Sequence, residues 1–197
     1  MTTTARVERD DHTPLRSERR RFRLSRFTAV ALAALFGLGI AKGAAEYAQR
    51  SATVQAQVAG TNAIAVHLVI AVVAAAFVVA VQVRRSRQPG GRGPSPWAAP
   101  FSARAAARLG RTLRFADGWS FKNAARALAA VLLALVVAYA PARMGAQVID
   151  GLDPNNTVNA WGGPSYPGAM LAHYLDALVG CYAACFLLGR VLLPLPD

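Results

Sequence analysis

The sequence predicts an all-α fold, a bundle of four transmembrane helices with both termini on the cytoplasmic side. Three observations carry that expectation. Four apolar stretches are each long enough to cross a bilayer, the polar connections between them alternate between arginine-rich and arginine-poor, and 54% of the 197 residues are hydrophobic with few charges inside the apolar runs. A hydrocarbon core about 30 Å thick takes roughly 20 helical residues to cross at about 1.5 Å rise per residue. Spans are expected at about 27–48, 62–83, 125–149 and 167–193, in one transmembrane domain over 26–197 that follows a basic tail.

The tail, 1–25, is polar and aperiodic and reads as disordered. Its Arg19-Arg20-Arg21-Phe22 resembles an export signal, but the apolar run that follows is too long for one and ends in Lys42, Gly43 and Glu46, where a small-residue cleavage site would have to stand. The run is therefore assigned as the first span. It carries Gly39-x-x-x-Gly43 with Glu46 on the same face, a pattern that lets helix backbones approach closely in lipid.

The second span is apolar on every side except at His67, and only a helix or a closed barrel satisfies its backbone in lipid. A barrel needs alternating polarity, which is missing. Gly60, Ala63, His67, Ala71 and Ala74 form a small-residue stripe, with Ala65, Val69, Val72 and Val79 opposite.

A long basic loop, 84–123, comes next, opening with the linker Gln88–Pro96. From Ser102 to Arg114, Arg104, Arg108 and Arg111 share one helical face and Ala106, Leu109 and Leu113 the other. That pattern predicts a short amphipathic helix in the headgroup layer, leucines down and guanidinium groups on phosphate. Trp119 and Phe121 are expected to anchor the third span at the interface. The connection after it, Asp150–Gly168, is rich in Gly, Pro and Asn and places Trp161 and Tyr166 where aromatic belts sit. Asp153-Pro154-Asn155-Asn156-Thr157 begins like a calcium loop but lacks the central glycine and the closing glutamate, so no calcium site is assigned. On the fourth span, Ala169, His173, Asp176, Ala177, Gly180 and Ala184 share a sector expected to pack on other helices. Leu171, Leu175, Leu178, Tyr182 and Phe186 lie opposite.

The arginines set the expected orientation. Tail and basic loop, from Arg6 to Arg26 and from Arg84 to Lys122, hold 17 of the 22 basic residues. Basic flanks stay in the cytoplasm, which predicts an N-in, C-in, multi-pass protein of the cell membrane. The net charge of +12 is then explained by topology and anionic lipid headgroups, with no need of nucleic acid.

Ionisable residues inside a span are costly unless paired or hydrated. Lys42, Glu46, His67, Arg143, His173 and Asp176 all fall toward the outer side of their spans, and together they predict a buried polar cluster drawn from four helices. Three functions compete for it. In the first, the cluster fixes helix packing in a structural or accessory membrane component, which pairs with itself or with another membrane protein and needs no cofactor. In the second, His67 and His173 are axial ligands of a b-type haem in a redox subunit. In the third, Glu46, His67, His173 and Asp176 line a proton- or ion-linked path. No glycine-rich phosphate loop, nucleophile elbow or spaced metal-ligand set is present, so no enzyme activity and no metal are assigned. Cys181 and Cys185, one helical turn apart, read as packing residues.

Overall fold

The computed structural model describes residues 25–87 and 97–196. The tail as far as Leu24 and the Gln88–Pro96 linker lie outside the described residues. Among the described residues the chain is all helical: α1 (Arg26–Ala48), α2 (Ile64–Ser86), a 3-10 turn (Ala99–Phe101), α3 (Ala105–Leu113), α4 (Phe121–Asp150), α5 (Pro154–Thr157) and α6 (Tyr166–Val191). Four of these, α1, α2, α4 and α6, are long and apolar enough to cross a membrane.

The helix starts follow capping chemistry. Ser25 Oγ accepts from Thr28 N at 3.2 Å to open α1. Ser120 Oγ accepts from Asn123 N at 3.1 Å, so α4 begins four residues before the expected position 125. Ser165 and Pro167 open α6 in the same way, with proline in the first turn, where its missing N–H costs nothing. The four long helices alternate in direction. One end of the bundle gathers the arginine-rich segments, where Ser25 N donates to Phe101 O at 2.9 Å. At the other, the loop end, Ala63 N donates to Trp161 O at 2.7 Å.

Packing runs in the order α1, α4, α6, α2. The α1–α4 pair is the most intimate, and glycine makes it so. A Cβ on Gly39 would overlap the carbonyl oxygen of Ala142, one on Gly43 that of Ala146, and one on Gly145 that of Phe36. Gly39 and Gly43 are the only buried residues of α1, so the small-residue motif read from the sequence is the helix interface itself.

α2 sits at the far edge of the row. Its expected stripe faces α6: His67 is buried, and Ala63, Ala71 and Ala74 are half-buried, while Val66, Val69, Val72 and Val79 are exposed. Gly60 departs from that stripe, because it lies in the preceding loop at φ +85 and outside the helix. On α6 the outward residues Leu171, Leu178 and Tyr182 are exposed as expected, and Ala169 and Ala184 are buried. Cys185 and Leu188 are buried as well, Phe186 is half-buried, and Gly180 meets only open space. The inward sector is rotated toward Cys185 because a residue outside the spans, Trp97, presses on that side.

Trp97 heads the main core. It packs with Val137, Ala184 and Cys185, and half-buried Val78, Val81, Phe101, Leu133 and Phe186 close around it. A second cluster of Ala130, Leu188 and Leu192 takes in Leu109 of α3. Both clusters draw residues from α3 or the 3-10 turn, so the basic loop is part of the fold as well as a connection.

Candidate functional site

The six polar residues expected to cluster divide into two groups. Lys42 and Glu46 pair with each other one turn apart on α1, and their side chains are 63% and 44% exposed, so they do not belong to a buried set. His67 is only 6% exposed, and its ring is held on three sides. Nδ1 lies 2.9 Å from Ala63 O, Nε2 lies 3.1 Å from Asp176 Oδ2, and the indole of Trp161 tilts over the ring at 5.4 Å between centroids. His173 and Arg143 are half-buried nearby, and Arg143, Asp176 and His67 all act on His173 electrostatically.

A carbonyl oxygen only accepts, so the Ala63 contact suits the ring with its proton on Nδ1. Nε2 then faces Asp176 Oδ2 within hydrogen-bonding distance. The contact is thus a polar link between α2 and α6, a helix pair otherwise joined by apolar contacts such as Phe77 against Phe186. Both ring nitrogens are committed to protein groups. An axial haem bond from His67 would have to displace Asp176 or turn the ring out from under Trp161. Among the described residues, no three of His, Cys, Asp and Glu converge as a metal-ligand set.

A second polar region lies at the loop end, in the segment from which the sequence assigned no calcium site, and its joining of two loops was not foreseen. Asp150 is buried at the end of α4 and takes the carboxamide N–H of Asn156. Asp153 caps α5 by accepting from Asn155 N at 2.9 Å, with Pro154 next to it in the first turn. Glu46, Arg143 and Lys42 act on Asp150 electrostatically, which links this region to the end of α1. Glu46, Arg50, Asp150, Asp153, Asn155 and Asn156 contribute to the lining of an open cavity of about 400 Å³ there. The carboxamides join the two loops. Asn155 Oδ1 accepts from Gln55 N at 2.8 Å, its Nδ2 donates to Thr53 O at 3.1 Å, and Asn159 Oδ1 accepts from Val58 N at 2.7 Å. The segment that begins like a calcium loop is therefore a capped turn and a loop clip. The Asp-Pro pair was the available signal, since it marks a helix start.

Two tyrosines tie α6 to α4: Tyr166 Oη donates to Val148 O at 3.0 Å and Tyr174 Oη to Met144 O at 3.1 Å. Tyr166, expected in an aromatic belt, is thus a tether. Between these helices Gln147 is 1% exposed, and its Oε1 has no hydrogen-bond partner.

At the arginine-rich end the short helix departs from the expected pattern. Its inward positions are Ala105, Arg108, Leu109 and Thr112, while Ala106 and Leu113 are exposed. Arg108 faces the C-terminus of α6 instead of phosphate. Nη2 donates to Leu192 O at 2.7 Å and to Gly189 O at 3.1 Å, and Nε donates to Leu193 O at 3.2 Å. Thr112 Oγ1 accepts from Leu193 N at 3.0 Å and donates to Arg108 O at 2.9 Å. Burial draws the Arg108 guanidinium below its ordinary value, though an arginine stays charged there. The physical reason for the departure is the helix end itself, whose last carbonyls lack intrahelical donors and carry partial negative charge. Arg111 pairs with Asp117 at 3.1 Å, whereas Arg104 is exposed and Trp119 and Phe121 are 80% and 85% exposed.

Comparison with known proteins supplies no relative: no family model matches the chain, and no curated protein or solved structure matches it.

Proposed function

We propose that the protein is a multi-pass component of the cell membrane with both termini in the cytoplasm, acting as a structural or accessory subunit without enzyme chemistry of its own. The observation that carries this reading is the His67–Asp176 link. His67, the most deeply buried imidazole or carboxylate in the spans, spends one nitrogen on the start of its own helix and the other on α6, as a packing element would. The exposed Lys42–Glu46 pair fits the same reading, since both side chains reach outward from the end of a span. Distribution of the arginines supports the orientation, and the alternating helix directions are what such a topology requires. Self-association or a membrane-protein partner would follow from the open packing order, which leaves α2 covered on one face only.

One observation favours a second reading. The contact of His67 Nε2 with Asp176 Oδ2, with His173 and Arg143 close by, is also the minimum equipment of a proton-linked path. Reconstitution separates the two. In proteoliposomes under a pH gradient, the structural reading expects equal proton flux for wild type and Asp176→Asn, together with a lowered unfolding midpoint for the variant. A flux that Asp176→Asn abolishes would overturn it in favour of transport. The haem reading is tested by the absorption spectrum of protein purified from haem-replete cells, where a Soret band lost in His173→Ala would restore it. Fusions of a reporter that works only in the cytoplasm, placed at residue 197 and within 49–62, test the topology. Activity from the second fusion alone would reverse the orientation.

A further inference from the structure

A cleft of about 450 Å³ opens between α2, the 3-10 turn and α6, near the arginine-rich end. Val78, Trp97, Phe101, Cys181 and Tyr182 line it with apolar surface, and Gln82 is its carboxamide. Cations stand close to it. Arg84 and Arg85 lie in the last turn of α2, and the Arg190 guanidinium lies 4.5 Å over the ring of Phe186, which itself lies 5.7 Å from the Trp97 ring. An apolar lining and a cation two ring contacts from it therefore occur together. α2 flanks this cleft on one side; among the described residues it packs chiefly on α6, with Val78 and Val81 against the Trp97 cluster, and its other faces are apolar and exposed.

We propose that this cleft is a binding site for one anionic phospholipid, with an acyl chain against Trp97 and Tyr182 and the phosphate at Arg190 and Gln82. The assignment rests on the membrane reading above, though not on the orientation, and it adds a specific lipid to a charge pattern otherwise explained by topology. An acyl chain suits an apolar space bordered by Val78, Trp97, Phe101 and Tyr182 and flanked by the exposed apolar faces of α2. A phosphate suits Arg190 because a guanidinium is weakly hydrated, forks onto oxyanions and is pre-positioned here by the Phe186 ring. Gln82 adds donors from the facing helix. A zwitterionic lipid presents the same chain but no net negative charge, so the site discriminates by head and not by tail.

The three tryptophans make the test direct. In the Trp119→Phe/Trp161→Phe protein, Trp97 is the sole indole, and it is buried beside the cleft. The full chain is placed in nanodiscs of phosphatidylcholine carrying increasing fractions of either dibrominated phosphatidylglycerol or dibrominated phosphatidylcholine, and bromine quenching of Trp97 is read. Half-maximal quenching is expected at about fivefold lower mole fraction for phosphatidylglycerol, the preference that one cation near a phosphate provides. Arg190→Gln should erase the difference while leaving the helical circular dichroism unchanged. Cys181→Phe should fill the cleft and weaken quenching by both lipids; should that variant not be recovered folded, Val78→Phe tests the same space from α2. Coincident curves for the two lipids in the Trp97-only protein, or a preference that survives Arg190→Gln, would overturn the proposal. So would native mass spectrometry showing the cleft stoichiometrically held by a non-lipid molecule whose mass is lost in Cys181→Phe. Nanodiscs present both leaflets equally, so failure here leaves the topology tests unaffected.

Discussion

The same substitution at two glycines of α1 should act in opposite directions. Gly37 and Gly43 are both inside the helix; Gly37 has nothing within 4 Å of where a Cβ would stand, whereas at Gly43 the Cβ would overlap the Ala146 carbonyl oxygen and lie 3.0 Å from Ala146 Cα. Replacing glycine by alanine in a helix interior is favourable by about 1 kcal/mol at either site, because the unfolded backbone loses freedom. That gain cancels in the comparison, leaving only the overlap. Forcing a methyl group into a packed interface costs about 1–3 kcal/mol, and the obstacle here is backbone, which has no rotamer to adopt. Gly37→Ala is therefore expected to stabilise slightly, and Gly43→Ala to fall below it by about 2 kcal/mol or more. The assay is reversible unfolding in mixed micelles with increasing SDS, following helicity, with Gly145→Ala as the reciprocal test from α4. Equal midpoints for Gly37→Ala and Gly43→Ala would refute the close-approach account of the α1–α4 interface.

Three further outcomes follow from the polar bonds. Arg108→Ala should cost about 2–3 kcal/mol, since hydrogen bonds from a charged donor are each worth more than a neutral one and the carbonyls of Gly189, Leu192 and Leu193 lose theirs together. Arg108→Lys should recover less than half of it, because an ammonium has no planar fork; full recovery would show that charge alone matters. Asp176→Asn should lower the SDS midpoint by about 1–2 kcal/mol, the range for polar contacts between helices in lipid, with Asp176 itself 41% exposed. Hydrogen exchange should then rise in α2 but not in α1, and a uniform rise would argue against a link local to α2 and α6. Asn155→Ala removes the bonds to Gln55 N and Thr53 O and should speed proteolysis within 51–59 while leaving the midpoint almost unchanged.

Most of the helical architecture was legible because lipid-compatible helices obey a simple rule. Length and apolarity alone place α1, α2, α4 and α6 within a few residues, and the errors fall at helix ends, where Ser120 as a cap was passed over. Face assignments held at Gly39, Gly43 and His67, which stand out against uniformly apolar neighbours, but not at Glu46, which is exposed, nor at Gly60, which precedes α2. They succeeded less well on α6, where buried Cys185 and Leu188 are set by Trp97 and Leu109, residues arriving from a segment read as a connection. Periodicity records one helix's own faces and carries no information about a distant loop residue that packs there.

The candidate site divides along the same line. His67, Asp176 and the glycines of α1 could be singled out locally, because a polar or minimal side chain in an apolar run is conspicuous whatever surrounds it. Pairing could not. That His67 takes Asp176, that Arg108 caps α6, and that Asn155 clips two loops depend on distances across 100 or so residues of chain, whereas Lys42 and Glu46 pair within one turn of α1. By itself the sequence determined that the protein has four helices long and apolar enough to cross a membrane and which residues resist the apolar rule, because partitioning between water and hydrocarbon acts on each segment separately. Only the tertiary structure decided which of those residues meet, because in hydrocarbon a polar group is stabilised by its particular partner and the partner is chosen by packing.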